Sequence, residues 1–230
     1  MMMPRMTHTT ELLWREYDSG EQLAEVLAAE LAGWLHDQLA RQSALTLALP
    51  GGRSPWPIYR RLAQQPLRWS DITIVPTDDR RVPVDDPLSN FAQLKQSFAA
   101  TGAKLVPLVA DAALSYVPWP PALAWLGMGL DGHTASIFPG PDLQAALQAP
   151  PSRRAIGVLP DPLPAEAPVA RVTLTRASLL SARRLIVVIQ GAAKRQVLEQ
   201  AWAERGAAAP PIVQVLSQAV RPVEVFWSPT

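Results

Sequence analysis

Hydrophobic positions along this chain switch repeatedly between short solid runs and a helical repeat, and each switch marks a change of element. Residues 11–17 form a first candidate strand. Ser19 is a helix N-cap followed by Glu21. After it, apolar side chains recur at Leu23, Val26, Leu27, Leu31, Trp34 and Leu35, the spacing of one helix face. The run 44–49 is apolar, has strand length and breaks at Pro50-Gly51-Gly52. Ile58, Tyr59 and Leu62 then mark a helix. Residues 72–75 form the next strand, which runs into the charged turn Thr77-Asp78-Asp79-Arg80-Arg81. Ser89 or Asn90 starts a helix through Phe91, Leu94 and Phe98. The Pro-rich, aperiodic stretch 101–121 predicts loop with one short strand. A strand over 122–126 follows, then a short helix over 142–147 and strands over 155–159, 169–174 and 184–189. A helix over 192–204 and a strand over 223–227 close the order.

Strands alternating with helices predict an α/β architecture: a three-layer, Rossmann-like fold with a mostly parallel sheet covered by helices on both faces. No internal repeat or low-complexity linker divides the chain, and the Pro-rich stretches 107–121 and 160–168 read as surface loops. One domain over 1–230, frayed over 1–10, is expected.

Composition narrows function more than fold. The 230 residues include 21 Lys and Arg against 20 Asp and Glu, a formal net charge of +1. That balance speaks against nucleic acid or an anionic membrane as the main partner, so any bound anion must be small and locally held. Without cysteine there is no disulfide, thiol catalysis or Cys-ligated metal. The N-terminus lacks the apolar core of about 7–15 residues of a signal peptide. No run approaches the ~18 apolar residues of a membrane span. A cytoplasmic protein is expected.

The candidate chemistry concentrates at strand ends. Trp125 to Gly140 reads WLGMGLDGHTASIFPG: an apolar run stops at glycines, and Asp131 and His133 follow on a Gly-rich bend with Thr134 and Ser136 beside them. A lone turn histidine suits a general base near neutral pH. His8 lies in the tail and His36 near the polar edge of a helix, so a His-rich metal site is excluded. Gly127-Met-Gly129-Leu-Asp-Gly132 matches a dinucleotide fingerprint literally. However, residues 143–160 contain no Asp or Glu to hold a ribose, and a polar turn follows instead of a long helix.

Pro50-Gly51-Gly52-Arg53-Ser54-Pro55 joins a strand to a helix, where glycine amides and the Ser54 hydroxyl can close around an anion. An ordinary strand–helix turn reads equally well there. In the Asp78 to Arg81 turn, a carboxylate and a guanidinium stand at a strand end, where α/β sheets bind ligands. Asp78 and Arg80 are therefore site candidates, against the alternative of a solvated turn. Arg171 sits in an otherwise apolar and Thr-containing strand and needs an anionic partner. Lys194 stands one turn into a helix, where its ammonium can join backbone amides at a phosphate; the alternative for each is a surface cation.

Taken together, these motifs resemble the 6-phosphogluconolactonase family over about 43–227 in unbroken order. The carriers are Gly51 to Pro55, Asp78-Asp79-Arg80 with Val82-Pro83 and Ser89-Asn90, Gly127 to Gly140, Arg171 to Thr175, and Gly191 to Lys194. The resemblance implies an α/β fold shared with glucosamine-6-phosphate isomerases and hydrolysis of 6-phospho-D-glucono-1,5-lactone in the pentose phosphate pathway. Carried over by position, it implies His133 as the base that activates water, with Asp131 orienting the turn or the imidazole. Ser54, Arg171, Lys194 and the amides near Gly51 and Gly52 would hold the phosphate, and Arg80 would face the substrate. It implies no cofactor and no metal, and a monomer is expected. The chain departs from the family pattern at Asp79 (usually Glu), Arg81 (often aromatic or Cys) and Ala122 (usually Asp), and it ends without an acidic tail.

Two other readings compete. A glucosamine-6-phosphate isomerase would resemble Asp-Gly-His-Ile-Ala-Phe-Asn-Glu-Pro here, and its Glu position is Phe138. A non-catalytic sugar-phosphate sensor would keep Ser54, Arg171 and Lys194 but has no use for His133.

Overall fold

The computed structural model describes residues 10–111, 114–206 and 208–230. In chain order it contains β1 (Leu12–Glu16), α1 (Gly20–Arg41), β2 (Leu45–Leu49), α2 (Trp56–Ala63), β3 (Ile72–Pro76), β4 (Asp78–Arg80), α3 (Asn90–Phe98), β5 (Lys104–Leu105), β6 (Leu123–Leu126), α4 (Leu143–Gln148), β7 (Ala155–Val158), β8 (Arg171–Leu174), α5 (Arg176–Leu180), β9 (Arg184–Gln190), α6 (Ala192–Ala203), α7 (Pro211–Leu216) and β10 (Val223–Ser228). The expected α/β order is present. The frayed start falls on residues outside those described, except Thr10. That residue is buried, and its hydroxyl donates to the Ala219 carbonyl at 2.5 Å, so it belongs to the folded body.

Seven strands form one sheet in the order β1-β10-β9-β6-β2-β3-β5, every pair parallel. The solid apolar runs are the signature of strands covered on both faces. Period-two alternation divides them: Leu45, Leu47 and Leu49 of β2 join Ile186 and Val188 of β9 in one core with α1, α2 and α3. Ala48, Leu185, Val187 and Ile189 face the other core, with α4 to α7. Helix α1 starts at Ser19, whose side chain accepts from the Gln22 amide. Its buried stripe is Leu23, Leu27, Leu31 and Leu35 flanked by Ala24, Ala28 and Ala32. Val26, expected on that face, lies on the far side of Leu23 from the alanines and is 41% exposed.

Strand order reverses beside β2. The chain builds outward through β3 and β5, then returns to β2's other side with β6, β9 and β10. A crevice at the carboxyl ends of β2 and β6 is the general consequence of such a switch, and the Gly51 and Gly127 turns leave from those two ends. A second sheet, antiparallel β4-β8-β7, was not expected. The charged stretch read as a turn is a strand: Asp78 pairs with Thr173, Asp79 with Val172 and Arg80 with Arg171. Three charged residues carry no strand propensity, and pairing with a partner about ninety residues away overrides it. Helices α5 and α7 were also missed; each is short and carries no full helical repeat of apolar positions to mark it. No helix among the described residues is long and apolar enough to cross a membrane.

Candidate active site

The crevice is a cleft of about 460 Å³. Gly51, Gly52, Ser54, Asp78, Arg80, His133, Arg171 and Lys194 line it, so segments far apart in the chain meet as the motifs required. Asp131 is the exception: it stands behind His133 and is not in the lining.

The turn after β6 is braced on itself. The Gly129 amide donates to the His133 carbonyl at 3.0 Å, the Gly132 amide to the Gly129 carbonyl at 3.0 Å, and the Thr134 hydroxyl to the Gly127 carbonyl at 2.8 Å. Gly132 has φ +77°, a left-handed conformation, and a Cβ there would strike Pro210. The Ile212 amide then donates to the Gly132 carbonyl at 2.9 Å. Helix α7, invisible in the sequence pattern, thus props the turn.

Nδ1 of His133 lies 2.6 Å from Oδ1 of Asp131, which also accepts from the His133 backbone amide at 3.2 Å. A carboxylate only accepts, so Nδ1 carries the hydrogen, and in the neutral ring Nε2 is the nitrogen with the lone pair. The ring stacks on Phe138 with centroids 4.3 Å apart and planes inclined by 26°. These contacts fix both tautomer and orientation. Gly129 is required at this point, because a Cβ would overlap the imidazole and the Asp131 carboxylate.

The opposite wall is the small sheet. Alternation sends Asp78, Arg80, Arg171 and Thr173 toward the cleft side and Asp79 away from it. Asp79 is buried at the start of α3, accepting from the amides of Asn90 (2.6 Å) and Phe91 (3.0 Å) and from the Ser89 hydroxyl (3.0 Å). Its role is therefore a helix-end anchor, a favourable place for a carboxylate. Asp78 accepts from the Ser136 hydroxyl at 2.6 Å. Burial pushes its carboxyl above the ordinary range, against the pull of that hydrogen bond.

Arg80 and Arg171 stand directly opposite each other in register. Like charges so placed repel unless an anion lies between them. Arg171 is 3% exposed; its Nη2 donates to the Ala167 carbonyl at 2.7 Å, while its buried Nη1 has no partner. Burial, with Arg80 nearby, lowers its affinity for the proton. Burial lowers the Lys194 pKa as well, and no carboxylate pairs with that ammonium among the described residues.

The Gly51 loop differs in detail from expectation. The Gly52 amide is already used, donating to the Gln93 side chain at 3.0 Å. Among the described residues the Gly51, Arg53 and Ser54 amides make no hydrogen bond and stay available. Pro55 is the N-cap of α2 and Pro57 enters its first turn, where no amide hydrogen is needed. Arg53, Asn90 and Glu166 also line the cleft. Arg53 and Asn90 lie within two of the sequence motifs without a site role there, and Glu166 lies in none of them.

The arrangement offers one fixed base, several cations with unsatisfied demand for an anion, and a buried carboxyl between them. Comparison with known proteins gives the family of the chain. The family model described as "Glucosamine-6-phosphate isomerases/6-phosphogluconolactonase" matches residues 18–227. A 6-phosphogluconolactonase of Mesorhizobium japonicum is 38% identical, over 94% of this chain and 95% of that protein. One from Rhizobium meliloti is 33% identical, over 93% and 97%. The crystal structure of a 6-phosphogluconolactonase from Shewanella baltica superposes with a TM-score of 0.83 at 30% identity, covering 97% of this chain and 99% of that one. The chain therefore belongs to the glucosamine-6-phosphate isomerase/6-phosphogluconolactonase family.

Proposed function

We propose that this protein hydrolyses 6-phospho-D-glucono-1,5-lactone to 6-phosphogluconate. One juxtaposition carries the reading: the free Nε2 of His133 opens on the same cleft as the facing Arg80 and Arg171, whose buried Nη1 lacks an acceptor. A δ-lactone carbonyl is electrophilic enough to need only a water, a base and donors for the developing oxyanion. His133 takes a proton from water as the oxygen adds to C1. The C1–O5 bond then breaks, and the imidazolium returns its proton to O5. Asp131 fixes the tautomer. Arg171, Lys194, Ser54 and the free amides of the Gly51 loop grip the phosphate and orient the ring. Arg80 and Asp78 face the ring itself. The phenyl ring of Phe138 packs on the base where an isomerase would need a second carboxylate.

Lactone consumption followed above its spontaneous rate tests the reading. Binding of 6-phosphogluconate without turnover would establish a sensor instead. Two variants test the geometry. Gly129→Ala should lower kcat by about 10- to 100-fold, because its methyl group displaces the base. The unfolding midpoint should change little, since the atoms a Cβ would displace belong to the part-exposed side chains of His133 and Asp131; an active Gly129→Ala would mean that His133 need not hold this position. Asp78→Asn should raise the unfolding midpoint at neutral pH while reducing turnover. A carboxyl whose folded-state pKa is raised contributes stability below its unfolded pKa and loses it as pH climbs through the folded one. The stability gain of Asp78→Asn over wild type should therefore grow from acid to neutral pH. A gain independent of pH would locate its cause elsewhere.

A further inference from the structure

Neither the catalytic nor the phosphate-binding account uses the side chain of Asn90. It is 4% exposed, yet it lines the cleft. Its Oδ1 accepts from Nη1 of Arg80 at 2.7 Å, and its Nδ2 donates to the Asp78 carbonyl at 2.8 Å. Its backbone amide donates to Asp79 at 2.6 Å. The carboxamide also packs directly on the Gly51 backbone, where any Cβ would overlap it. One side chain thereby touches the loop after β2, the strand β4 and the start of α3. The other hydrogen bond of Arg80 Nη1 goes to the Leu88 carbonyl at 2.9 Å, in the same segment.

Resting on the functional reading above, we infer that Asn90 is a positioning residue that aims Arg80 into the cleft and holds it in register with the Gly51 loop. Arg80 faces a second cation across the small sheet. In the absence of an anion, repulsion drives the two guanidinium groups apart. A polar acceptor on the far side of Arg80 keeps its long side chain in one rotamer, so substrate need not order it on binding. The chemistry demands an amide: a carboxylate would neutralise Arg80, and an apolar residue would release it.

A double-mutant cycle separates this role from a structural one. Asn90→Ala should reduce kcat/KM for the phosphorylated lactone, and affinity for 6-phosphogluconate by calorimetry, by about tenfold. In an Arg80→Ala background the same change should cost less than about twofold. Asn90→Ser enters the same cycle if Asn90→Ala does not fold, with thermal midpoints measured throughout. Equal losses in the two backgrounds, or no loss in the first, overturn the inference alone. A wild-type protein that neither turns over the lactone nor binds the product overturns the functional reading and this inference with it.

Discussion

Substituting His133 by alanine is expected to lower kcat for the phosphorylated lactone by about 10²–10⁴-fold, the usual contribution of a positioned general base. KM should change little, because the phosphate grip lies on other elements. The His133 side chain is 30% exposed and its partner Asp131 52%, so removing the imidazole strands no buried charge and the fold should survive. The vacated slot beside Phe138 and Asp131 has the shape of an imidazole ring. Added imidazole should therefore restore part of the rate, with a saturable dependence on imidazole that wild type lacks. A His133→Ala protein as fast as wild type would remove the base from the mechanism. Unchanged product affinity in that variant would show that the loss lies in chemistry and not in binding.

Much of this was legible from residue types alone, for identifiable reasons. The central sheet declares itself because its strands are apolar on both faces, and the Gly51 and Gly127 turns declare themselves because paired glycines at the end of an apolar run weaken strand pairing and favour a turn. Arg171 stood out because a buried strand does not tolerate an unpaired guanidinium, and its buried Nη1 does lack a partner. Three things stayed hidden. The pairing of β4 with β8 is a contact between distant segments, and only that pairing turns Asp78-Asp79-Arg80 into two cleft residues and one helix anchor. The support of the His133 turn by Pro210 and Ile212 depends on a six-residue helix with no readable period. The commitment of the Gly52 amide to Gln93 links segments about forty residues apart and leaves no trace in either.

Loss of the Arg171 guanidinium should also have a large effect, and it should depend on substrate. A charge-assisted hydrogen bond to phosphate contributes about 1.5–3 kcal/mol, so Arg171→Ala should raise KM for the phosphorylated lactone by about 10- to 100-fold. Unphosphorylated gluconolactone has no anion for this residue and should be hydrolysed almost as before. The register adds a second expectation. Arg171 faces Arg80 across β4 and β8, and burial already makes its charge costly. Alanine removes that repulsion along with the hydrogen bond to the Ala167 carbonyl, so the ligand-free midpoint should stay near that of wild type. Inorganic phosphate should raise the midpoint of wild type, since a ligand that binds only the folded state stabilises it. That increment should largely disappear in Arg171→Ala. Equal losses on both lactones, with a lowered ligand-free midpoint, would make Arg171 a support of the loop through Ala167. A selective loss, with the midpoint held and the phosphate increment gone, identifies Arg171 as a residue kept at an energetic cost until its anion arrives.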